Sequence, residues 1–130
     1  MKIESQIVTV EKSANYLFEK LTNVEAYKEL MPENIAKFEV LDNNTFVFAL
    51  KGMPEIKLRL KEKIEYEKVV LGAASDKLPF SLIAHLKEVS NNLSEVKLDF
   101  EGEFNAMMAM MVKGPITKFL EALSSNMNKL

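Results

Sequence analysis

The chain has 130 residues, enough for one domain with a sizeable core, and 17 basic side chains face 19 acidic ones for a net charge of −2. That balance does not favour nucleic acid, which calls for a basic face. With no cysteine and one histidine, disulfides, thiolate nucleophiles, cysteine-bound zinc and three-histidine metal sites are excluded.

Residues 2–10 alternate polar and apolar and read as a strand. They lack the basic start and apolar run of a secretory signal, and no stretch approaches a membrane span. A single cytoplasmic domain over residues 1–130 is expected. Ser13 is placed to cap a short helix with Leu17, Phe18 and Leu21 on its apolar face. Asn23 can cap a second, with Val24, Tyr27, Leu30 and Met31 on one side and Pro32 ending it.

From about residue 37 to residue 104 the pattern is strand after strand. Phe38 and Val40 lead into the turn Asp42, Asn43, Asn44. Phe46, Phe48 and Leu50 follow at period two, and Gly52, Met53 and Pro54 break the pattern. Ile56, Leu58, Leu60, Ile64 and Tyr66 then share one face, with Lys57, Arg59, Lys61, Lys63 and Glu65 on the other. This is the signature of an antiparallel sheet wet on one side. A short strand begins at Val69, and Asp76, Lys77 and Pro79 read as turn chemistry. Phe80, Leu82, Ala84 and Leu86 alternate again, as do Val96, Leu98 and Phe100 against Lys97, Asp99 and Glu101.

The last segment switches to helical spacing. Met108, Val112, Ile116, Phe119, Leu123, Met127 and Leu130 form one stripe, and Pro115 is expected to kink the helix. The expected fold is α+β, a curved antiparallel sheet of about seven strands around one long terminal helix, with two short helices after the first strand. Such a sheet wrapped around a helix tends to leave a cavity between them.

Several side chains carry two readings. His85 alternates with Leu82, Ala84 and Leu86 and so points outward. As a surface residue its removal is expected to cost no more than about 0.5 kcal/mol. Glu101 and Glu103 sit two apart as an acid–base pair could, but their parity puts them on a solvated face beside Lys97 and Asp99. Met107, Met108, Met110 and Met111 make one turn apolar all round. That turn is extra core covered by the short helices, a pliable cavity wall, or a dimer contact. Few hydroxyls (Thr45, Ser81, Tyr16, Tyr27 and Tyr66) lie near the inner face, and no phosphate-binding glycine loop is present.

This order of elements resembles the START-like (SRPBCC) superfamily, the helix-grip fold of polyketide cyclases/dehydrases, lipid-transfer domains and plant-allergen-type binding proteins. The resemblance spans the chain. It rests on the opening strand with its helix pair (2–31), on KLPFSLIAHLKEV (77–89), and on VKLDFEGEFNAMMAMMVKGPITKFLEALSSNMNKL (96–130). It implies a hydrophobic cavity between sheet and terminal helix. It implies no reaction, and no catalytic residue, metal or cofactor is carried over.

The expected function is binding of a lipid-like or polycyclic ligand by Phe46, Phe48, Leu58, Phe80, Leu82, Leu98, Phe100, Met107, Met108 and Met111. The alternatives are a cyclase/dehydratase using tyrosines or a carboxylate such as Glu62, and a protein-interaction module. The chain is expected to be a monomer or weak homodimer.

Overall fold

The structure, a computed structural model, describes residues 1–52, 55–74 and 80–130. The expectations for Met53, Pro54, Asp76, Lys77 and Pro79 lie outside the described residues.

The opening segment is two strands, β1 (Lys2–Glu4) and β2 (Val8–Val10), both antiparallel to the late strand β8 (Leu93–Gly102). The break comes at Ser5. Its N–H donates to the Leu98 carbonyl at 2.8 Å, and its hydroxyl accepts the Leu98 N–H at 2.9 Å. A side-chain oxygen thus replaces a backbone acceptor, and Gln6 and Ile7 are left outside the ladder and exposed.

Helix α1 (Ala14–Leu21) starts where Ser13 Oγ accepts the Tyr16 N–H at 3.1 Å. Asn23 Oδ1 accepts the Glu25 N–H at 3.2 Å and opens a 3-10 helix, Val24–Leu30. Its buried residues Val24, Tyr27 and Leu30 fall three apart. With three residues per turn, that spacing lines one edge of the helix.

Strands β3 (Ile35–Asp42), β4 (Thr45–Leu50), β5 (Ile56–Ile64), β6 (Lys68–Ala73) and β7 (Phe80–Ser90) then join β8 in one antiparallel sheet. The order is β1-β8-β7-β6-β5-β4-β3, with β2 also on β8, eight strands in all. Splitting of the first strand accounts for the strand beyond the expected seven. Asp42 Oδ1 accepts the Asn44 N–H at 2.8 Å and closes the β3–β4 turn.

Strand β4 is buried on both faces, Thr45, Val47 and Ala49 included. In register, Val47 lies between Glu39 and Lys57, and Ala49 opposite Lys37. The aliphatic stems of such long neighbours cover small side chains while their charges stay in water. The core runs along the concave face. Tyr27 stacks on Phe46 at 5.1 Å, Phe46 neighbours Phe48 at 6.2 Å, and Phe48 stacks on Phe119 at 4.8 Å.

Strand β5 corrects one expectation. Leu60 pairs with Leu71, yet Glu62 pairs with Val70, so Lys61 is an extra residue and the faces exchange beyond it. Lys63 comes opposite Val69, whereas Ile64 comes opposite Lys68 and is 40% exposed. Tyr66 sits in the following turn at φ 64, with its ring edge-on to Phe18 at 5.6 Å. The stem of Lys61 lies over Gly72, where a Cβ would come within 2.8 Å of Lys61 Cγ.

Helix α2 (Ala106–Ser125) begins at Asn105, whose Oδ1 accepts the Met108 N–H at 2.8 Å, and ends in the 3-10 turn Asn126–Lys129. It runs on through Gly114 and Pro115. Its second half is core: Phe119, Leu120, Leu123 and, beyond it, Met127 are buried. Asn126 Nδ2 donates to the Leu30 carbonyl at 3.0 Å and ties this end to the 3-10 helix. The first half is held less deeply, with Met108, Val112 and Ile116 half-buried. Among the described residues no helix is long and apolar enough to cross a membrane.

Candidate functional site

Between the sheet and the shallow half of α2 lies a cavity of about 140 Å3. Phe48, Ile56, Leu58, Phe80, Leu82 and Phe100 form its sheet wall. Phe104, Val112, Ile116 and Phe119 close it from the helix side. The rings of Phe80, Phe100 and Phe104 stack in turn at 5.3 and 6.1 Å. Gly102 makes room for this: a Cβ there would lie 2.6 Å from the Phe104 ring.

Among the described residues one polar side chain reaches the lining, Glu55. It lies exposed at the rim and meets Lys37 Nζ at 2.7 Å. The hydrogen bond and charge of Glu55 hold the Lys37 ammonium above the usual lysine range. An apolar void this size is comparable to one of roughly 150 Å3 that stays dry and takes up benzene.

Of the residues expected to bind ligand, Phe48, Leu58, Phe80, Leu82 and Phe100 line this cavity. Phe46 and Leu98 face the same side but are packed into the core away from it. Met108 is half-buried and does not line it. Met107 and Met111 do not form its wall: they are 73% and 70% exposed, with Met110 at 84%. The reason is helical phase, since these residues lie off the stripe that carries Val112, Ile116 and Phe119. Nor do the short helices cover them as core, because the 3-10 helix is tied to the other end of α2. Phe104, Val112, Ile116, Phe119, Ile56 and Glu55 were not on the expected list. All but Glu55 were legible as apolar positions of the stripe or the strands.

The enzyme candidates are scattered. Glu62 is exposed beside the β5 bulge, and Tyr16 and Tyr66 are exposed. Tyr27 is buried and donates to the Leu21 carbonyl at 2.8 Å, and burial pushes its hydroxyl pKa upward. Glu101 and Glu103 are exposed on the outer side. His85 also points outward, but it is not an idle surface residue. Its Nε2 lies 3.0 Å from Asp99 Oδ2. Asp99 itself, expected on a solvated face, is 7% exposed, because its strand neighbours Ile83, His85 and Glu4 crowd over it. Among the described residues no group of three or more acidic or histidine side chains could hold a metal ion.

No protein-family model and no curated protein matches the sequence. Solved structures do match. A START superfamily protein from Mycobacterium smegmatis is 14% identical over 98% of this chain and 97% of its own, with a TM-score of 0.70. Norcoclaurine synthase from Thalictrum flavum is 13% identical over 99% and 84%, with a TM-score of 0.76. The di-domain ARO/CYC protein BexL is 12% identical over 97% of this chain and 46% of its own, at 0.67. Eight antiparallel strands gripping one long terminal helix, matched over nearly the whole chain by these structures, establish the START-like, helix-grip fold.

Proposed function

We propose that the protein binds a hydrophobic small molecule in the cavity between the sheet and α2. The observation that carries this reading is a lining of aromatic and aliphatic side chains with one compensated carboxylate at the rim. Such a site rewards apolar surface and orients a ligand weakly. At about 140 Å3 the cavity matches a single ring. In keeping with that scale, norcoclaurine synthase, similar at a TM-score of 0.73, is described in complex with dopamine and hydroxybenzaldehyde. A lipid-like or polycyclic ligand needs the shallow half of α2 to move outward. That half has little to hold it, since Pro115 cannot donate to the Met111 carbonyl. A cyclase/dehydratase reading has Glu55 to build on, and Lys37 already engages it.

Titration of the labelled protein with toluene, followed by backbone amide shifts, tests the reading. Saturable shifts clustered at Phe48, Phe80, Phe100 and Ile116 are expected. Shifts that are absent, or centred on Met107 and Met110, would refute it.

A further inference from the structure

We infer that the ligand is an anionic amphiphile, an apolar ring or short chain carrying an acidic group, and that Lys51 and Lys118 hold that group. The inference rests on the cavity being the hydrophobic site, and adds to it the place of the head group.

A groove of about 480 Å3 runs beside α2, and Phe119 belongs to the lining of both it and the cavity. Its other walls include Asn34 and Lys51 on the sheet side and Gly114, Pro115 and Lys118 on the helix. Lys51 is fixed at the groove's edge because its backbone N–H donates to the Asn34 carbonyl at 2.9 Å. Over Gly114 the space is open, since a Cβ there would meet nothing within 4 Å. No carboxylate belongs to the groove's described lining. Among the described residues neither lysine has an acidic partner within 4.0 Å, Glu121 one turn along α2 included.

The sign of the head group follows from comparing the two rims. The cavity's own rim offers Glu55, but Lys37 neutralises it at 2.7 Å. The groove offers two ammonium groups that nothing described neutralises. An acid placed there gains two charge-assisted contacts, whereas an amine at Glu55 must displace Lys37. The Phe119 ring, stacked on Phe48 at 4.8 Å, stands between the two spaces and lines both. A ligand whose apolar part enters the cavity and whose acid stays in the groove therefore passes along Phe119.

The test uses three probes with one phenyl ring and a four-carbon chain: 4-phenylbutyrate, 4-phenylbutanol and 4-phenylbutylamine, titrated calorimetrically. The acid is expected to bind about tenfold more tightly than the alcohol, an advantage that shrinks in 1 M salt. Lys51→Gln and Lys118→Gln are each expected to weaken the acid by roughly fivefold and leave the alcohol unchanged. Lys113→Gln, on α2 but outside the groove, is expected to change neither. Equal binding of acid and alcohol, insensitive to both substitutions, overturns the head-group site while leaving the cavity reading intact. Preference for the amine overturns it in favour of Glu55. Failure of all three probes and of toluene overturns both readings.

Discussion

Replacing His85 with alanine is expected to destabilise the fold by about 1–2 kcal/mol, well beyond an ordinary surface substitution. The Asp99 side chain is 10% exposed, and Oδ2 takes its hydrogen bond from the imidazole at 3.0 Å. The other oxygen, Oδ1, is buried without a hydrogen-bond partner, with Lys97 Nζ no nearer than 3.8 Å. Removing the imidazole leaves a carboxylate that burial has stripped of water and that no donor satisfies. A hydrogen bond to a charged group contributes about 1.5–3 kcal/mol, and the 45% exposure of His85 lets water replace part of it. Urea denaturation of His85→Ala, Asp99→Ala and the double variant measures this directly. The double variant should cost less than the sum of the singles by about 1 kcal/mol, since the second change removes the group the first one orphaned. A His85→Ala variant within 0.5 kcal/mol of the parent, or strictly additive costs, would show that the pair contributes nothing.

Met107→Ala should change stability by less than about 0.5 kcal/mol, while Leu123→Ala should cost about 2–5 kcal/mol, both read from denaturation midpoints; equal costs would contradict the exposed placement of the methionine turn. Gly102→Ala should push the Phe104 ring from its seat and alter toluene affinity at least severalfold while the far-ultraviolet dichroism stays that of the parent. The carboxyls of Glu4, bonded to Lys97, and of Asp42, bonded to the Asn44 N–H, are held below their ordinary values. Their contribution is therefore complete above about pH 5 and is lost as pH falls through the lowered values. Lys97→Gln should weaken the acid dependence that Glu4 supplies, as seen in denaturation midpoints between about pH 2 and 5.

Alternation was legible wherever one face was apolar and the other charged, as in Leu58 between Lys57 and Arg59. The bulge was not, because Lys61 is one of three polar residues between Leu60 and Ile64, and an extra one leaves no mark on the pattern. Asp99 looked solvated for a related reason. Its neighbours along the strand, Lys97 and Glu101, are charged, while the groups that crowd it come from β1 and β7. The apolar stripe of α2 gave the helix wall of the cavity, yet the methionines misled. A turn apolar all round carries no direction, and only the phase of the flanking residues shows that Met107 and Met111 face away. The groove had no sequence signature, since Lys51 and Lys118 come to line one space only where the chain leaving β4 passes beside α2.

The row of rings from Tyr27 through Phe46 and Phe48 to Phe119 gives the protein an indicator of its own. There is no tryptophan, and of three tyrosines Tyr27 alone is buried and clamped at its hydroxyl. A tyrosine held in fixed tertiary packing contributes near-ultraviolet dichroism, which changes when that packing changes. Any occupant that tilts Phe119 disturbs the ring beneath it and the one beneath that, so occupancy is readable without a label. The same linkage sets which walls are free to vary. A change at Phe119 is expected to propagate along the row toward the seat of the 3-10 helix, whereas Val112 and Ile116 line the cavity without being members of that row. Divergence in what the cavity accepts is therefore expected to accumulate at those two positions first.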